Sequence, residues 1–155
     1  MEYWKISALI GAIIFLASGF LPFISAGGGV ASFPLTDIYS GLGLGRDWGT
    51  VFSTLPMYGI GWLLAMILYP VTVVLGLASF LRRKLALLAG ILGIICGIGE
   101  IMMISGVQSY FGGAIEYGYG IFVGFAGAII MLAANYIKGG TLPATPTTTP
   151  PPPPT

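Results

Sequence analysis

Residues 85–104 read LALLAGILGIICGIGEIMMI, from Leu85 to Ile104, with Glu100 as the one charged side chain. A bilayer core about 30 Å thick takes roughly 20 apolar residues as helix, and this run has that length. Lipid offers the backbone no hydrogen-bond partner, so such a run must be helical. Directly before it stand Arg82, Arg83 and Lys84, and before them lies a second apolar run from Tyr58 to Leu81. Working outward, Trp4–Phe23 and Tyr117–Ile137 are two more. The expectation is an all-α integral membrane protein: a four-helix transmembrane bundle with spans at about 4–23, 58–81, 85–104 and 117–137. A glycine-rich outer loop joins the first two spans. Residues 1–140 form the membrane domain and 141–155 a disordered proline/threonine tail.

Composition agrees. Of 155 residues, 56% are apolar and 7% charged, where a soluble domain carries about 25% charge. Mean hydropathy is +0.96. Six basic and five acidic residues give a net charge of +1, which excludes a soluble nucleic-acid binder that must meet phosphates with a basic patch. The chain has no histidine and a single cysteine, Cys96. Histidine-held metals and haem, an intrachain disulfide, an iron–sulfur cluster held by this chain alone, and Ser-His-Asp or Cys-His catalysis are all removed. No cofactor is expected, and catalysis by this chain alone is disfavoured.

The basic residues set an orientation. Arg82, Arg83 and Lys84 belong in the cytoplasm. Alternation then puts both termini inside, with Lys5 and Lys138, and leaves Arg46 outside. The short basic turn makes spans two and three antiparallel neighbours. Tyr3, Trp4, Tyr58, Trp62, Tyr110, Tyr117, Tyr119 and Tyr136 cluster near span ends, the depth amphipathic rings favour. The first span has a rival reading as a cleaved signal peptide, with Ala17 and Gly19 as small residues near a cleavage point; the uncharged stretch from Ile6 to Thr36 is long for that.

The first outer loop, about Ile24 to Met57, holds Gly27-Gly28-Gly29 and a second glycine run, Gly41 to Gly49. Neither matches a phosphate-binding loop, since the terminal Lys-Ser or Lys-Thr is missing. Pro34–Ser40 reads as a short surface helix. Phe33, Leu35, Ile38 and Leu42 suit contact with the bundle, the bilayer or a partner. Arg46, Asp47 and Trp48 are a compact charged and aromatic group, read as a local ion pair or as ligand recognition. The tail, Thr141–Thr155, favours an extended polyproline rod. Four spans with a larger first outer loop resemble the claudin-type tetraspan layout. That family's loop carries a Gly-Leu-Trp segment followed by paired cysteines, whereas this loop has Gly41-Leu42-Gly43 and no cysteine. The resemblance is one of layout, and no function is carried over from it.

Small residues mark packing faces. Ala86, Gly90, Gly93 and Gly97 follow helical spacing in span three, as do Gly120, Gly124 and Gly127 in span four. Small residues let helix backbones approach closely where lipid gives no hydrophobic drive. The two stripes predict tight antiparallel packing of spans three and four, with self-association as the other use. Glu100 stands three residues past Gly97, so it continues the glycine face and points at protein, about four residues or 6 Å below the outer helix end. An intramembrane acid is a functional hypothesis by default. Its candidate partners are Tyr117 and Arg46. Pro70, within span two, removes one donor and predicts a kink.

Function follows from scarcity. The first expectation is an accessory or structural subunit of a larger assembly in the cell membrane, acting through helix packing and an apolar outer loop. Its partners would be other membrane subunits, further copies of itself and the lipid bilayer. The alternative is a small oligomeric transporter or channel using Glu100 as a proton or cation relay.

Overall fold

The computed structural model describes residues 2–27, 29, 31–37, 53, 56–111 and 115–137. In chain order the elements are helix α1 (Tyr3–Ser18), strands β1 (Pro22–Ala26) and β2 (Ala31–Pro34), helices α2 (Pro56–Ala78) and α3 (Arg83–Phe111), strand β3 (Ile115–Tyr117) and helix α4 (Tyr119–Ala134). The chain is mostly helical. Two stretches, Pro56–Ala78 and Arg83–Ser109, are long and apolar enough to cross a membrane, with mean hydropathies of 2.2 and 2.3. The other two helices are apolar but 16 residues each.

Four boundaries differ from the sequence expectation. The first helix stops at Ser18 rather than near Phe23. Gly19 and Phe20 turn back on the carbonyls of Leu16 and Ala17, and Pro22, which cannot continue a helix hydrogen-bond ladder, opens β1. The third helix runs on to Phe111, through a segment expected to be an outer loop. Residues 115–117 form a strand, so the last helix begins at Tyr119 instead of Tyr117. Arg83 and Lys84 open α3, and the turn itself is residues 79–82.

The sheet departs from the all-α expectation. Its order is β2-β1-β3, both pairs antiparallel. The β1–β2 hairpin turns through Gly27 and Gly29, whose φ angles of 62° and 92° suit a residue without a Cβ. Strand β1 leaves α1 while β3 leads into α4, and Ser25 pairs with Glu116. The bond from Gly118 N to Phe23 O, 2.8 Å, closes the junction. The contact between α1 and α4 thus continues beyond the helices as a strand ladder. Phe23 and Leu35, each 1% exposed, fold down from this cap into the core. Residues 35–37 are helical; the rest of the expected surface helix, the Gly41–Gly49 run, Lys138 and the tail lie outside the described residues.

The helices pack in the cycle α1-α2-α3-α4, with α2 on α3 and α1 on α4 the most extensive pairs. Glycine sets the approach. A β-carbon at Gly61 of α2 would strike Gly99 O and lie 2.5 Å from Met103 N of α3. One at Gly127 of α4 would lie 2.6 Å from Phe15 N and 2.8 Å from Gly11 O of α1. The two stripes read from the sequence therefore meet different partners. Gly90 and Gly97 of α3 do face α4, against Leu132 and Phe125, while Gly120, Gly124 and Gly127 of α4 face α1. Periodicity shows which residues share a face; it does not show which helix that face meets.

The core is mainly apolar with a few polar groups inside it, and large apolar groups also cover the outside. Ser18, Thr72, Ser79 and Glu100 are buried, while Ile10, Ile67, Val74, Ile98, Phe122 and Ile129 are among the exposed side chains. The expected outcome for Gly61→Ala is a loss of about 1–3 kcal/mol of stability, because backbone atoms cannot yield. Gly124→Ala should stay within about 1 kcal/mol, because the nearest atom, 3.1 Å away, is the rotatable Ser18 hydroxyl. Reversible unfolding in mixed detergent micelles measures both.

Candidate functional site

Glu100 lies inside the bundle, 6% exposed. With α3 extended to Phe111, eleven residues follow it, or about 16 Å of helix. That is far deeper than the four residues expected from the sequence. The helical spacing that put it on the glycine face also puts Cys96 one turn before it. The Cys96 thiol donates to Glu100 Oε1 at 3.5 Å and lies 3.9 Å from Ala65 O of α2. A thiol carries one proton, so it serves one of these acceptors at a time.

Tyr69 of α2 is buried in the same core as Cys96. Its hydroxyl donates to Leu16 O at 2.7 Å, a carbonyl at the end of α1 that also accepts from Gly19 N. Its ring stacks on Phe15, with centroids 5.3 Å apart and planes at 28°. Thr72, one turn on, is fully buried, and its Oγ1 has no hydrogen-bond partner among the described residues. A β-carbon at Gly93 would lie 2.8 Å from Ala128 Cβ, 3.2 Å from Phe15 and 3.3 Å from Thr72. At that level side chains of α1, α2 and α4 all approach Gly93 of α3. The arrangement can hold a carboxyl group away from lipid and link α1, α2 and α3 through polar contacts.

The other residues singled out in the sequence lie elsewhere. Tyr117 is on β3, 39% exposed, and its hydroxyl pairs with Ser105 Oγ at 2.8 Å rather than with Glu100. Arg46 lies outside the described residues. Ala86 is fully buried and clusters with Ala8 and Ala134. Pro70 is exposed on α2, which continues through it, and it borders a shallow apolar groove of about 290 Å³ with Val71, Val74 and Leu75. A second groove, about 210 Å³, lies between Ile101, Tyr117, Ile121 and Phe122. No group of three metal-ligating side chains occurs among the described residues.

Sequence reasoning missed Tyr69 and Thr72, because a tyrosine and a threonine beside Pro70 carried no pattern of their own. Cys96 could have been paired with Glu100 from its spacing of four. No family model, no curated protein and no solved structure matches this chain.

Proposed function

We propose that this chain is a multi-pass protein of the cell membrane whose four helices all cross the bilayer, and that it serves as an accessory or structural subunit of a larger membrane assembly. The observation that carries this reading is the perimeter: large apolar side chains are exposed on every helix, although the interior is itself mainly apolar and holds only a few buried polar groups. Water would penalise such a perimeter, whereas lipid or an apolar neighbour accepts it. The 16-residue helices α1 and α4 are about 24 Å long. Phe20, 65% exposed, and Tyr136, 76% exposed, extend them beyond their ends, and a modest local thinning of the bilayer accommodates the remainder. Lys5, Arg82, Arg83 and Lys84 all stand at the bundle end opposite the sheet, the end assigned to the cytoplasm.

A subunit role fits the interior and the perimeter together. Side chains of α1, α2 and α4 approach Gly93 of α3, and the two apolar grooves open outward, where another helix or acyl chains could lie. Gentle solubilisation from native membranes followed by mass determination tests the role. The expected species is heavier than a 16.2 kDa chain with its detergent and contains other polypeptides. A lone chain recovered with full yield and stability would contradict it.

Glu100 supports a second reading, a small oligomeric transporter or channel with this residue as a proton or cation relay. An acid so deeply buried is costly in a membrane, and its contact with Cys96 is weak compensation. The chain reconstituted alone should then carry a proton flux above that of empty vesicles. Glu100→Gln should abolish that flux while leaving assembly intact. Absence of flux in the unaltered chain sinks this reading.

A further inference from the structure

We propose that the Phe80–Lys84 turn between α2 and α3 is a binding site for the phosphate headgroup of an anionic phospholipid. The inference rests on the membrane-spanning reading above. Arg82 and Lys84 are exposed, and neither is paired with an acid among the described residues. Lys5 differs: it lies 3.2 Å from Glu2 Oε2, and its hydrogen bond holds the Glu2 carboxyl below the usual carboxylate range. Arg83 is anchored, its Nη2 donating to Ile137 O at 2.5 Å, which fixes the turn against the end of α4.

Two further observations point to a bound anionic amphiphile. Arg83 and Lys84 occupy the first turn of α3, which contains no acid, and cations there work against the helix dipole. Phe80 and Leu81, 51% and 66% exposed, sit directly beside the cations. Val74 and Leu77, 64% and 37% exposed and three residues apart, carry apolar surface along the last turns of α2 toward the cations. A stripe of exposed apolar side chains ending in unpaired cations matches an amphiphile with an anionic head and an acyl tail. A free anion would use the cations alone and leave the stripe empty.

The test is native mass spectrometry of the full chain in detergent, titrated with phosphatidylglycerol, with phosphatidylcholine and with inorganic phosphate. Retention of phosphatidylglycerol over phosphatidylcholine is expected. The double variant Arg82→Ala/Lys84→Ala should bind phosphatidylglycerol roughly 30-fold more weakly, at about 1 kcal/mol per charge. Both side chains are exposed, so the fold should be kept; Lys5→Ala serves as the control and should bind as the unaltered chain does. Equal retention of the two lipids, an undiminished affinity in the double variant, or displacement of phosphatidylglycerol by millimolar phosphate would each overturn the headgroup site. A chain that stays dispersed and folded without detergent would overturn the membrane reading itself, before any lipid is added.

Discussion

The closest approaches in this bundle are made where one helix has no side chain. Gly61 lets α2 reach the backbone of α3, and Gly11 and Gly127 do the same between α1 and α4. Hydrocarbon gives two apolar helices no reward for hiding side chains from it, so their association rests on packing and on interhelical hydrogen bonds. Both are short-ranged, and both need backbones in near contact. The cap depends on the same approach. Only because α1 and α4 run so close can β1 and β3, their continuations, meet as paired strands. The deep position of Glu100 depends on it too, since α2 and α3 must close around Cys96 and the acid.

Much of this was legible in the sequence, and the omissions have physical causes. The run from Leu85 to Ile104 gave the third helix, and its small-residue spacing put Glu100 on an interior face. What it concealed was length. Ser105, Gln108 and Ser109 look like loop residues, yet they remain helical: Ser105 pairs with Tyr117, Gln108 donates to Ile115 O at 2.7 Å and Ser109 bonds back to Gly106 O. The partners of Ser105 and Gln108 lie beyond the turn and cannot be read from local composition. The strands were hidden for the same reason. Pro22 lay inside the expected first span, although it marks where α1 has given way to β1, and three-residue β3 is a strand only because β1 is placed beside it. The stripe on α4 named a face correctly and its partner incorrectly, since chain proximity favoured α3 while the packing chose α1.

The few buried polar groups and the apolar exterior bear on the proposed function together. Tyr69 ties α2 to α1, and Cys96 ties Glu100 to its own helix and to α2. These contacts cost little to keep in lipid and much to lose, so they specify one arrangement of the helices. The perimeter specifies nothing comparable. It is broad, apolar and shallowly grooved, a surface suited to acyl chains and to other membrane helices.

The account stands on lipid surrounding all four helices, the two 16-residue ones included. Spin labels at Ile10 of α1, Ile67 of α2, Ile98 of α3 and Ile129 of α4, each exposed on the perimeter, test this in bilayer-reconstituted protein after Cys96→Ala. The account requires all four labels to relax with oxygen, which partitions into lipid, and to be shielded from a water-soluble nickel chelate. Strong relaxation by the nickel chelate at Ile10 and Ile129 would place α1 and α4 in water and contradict it.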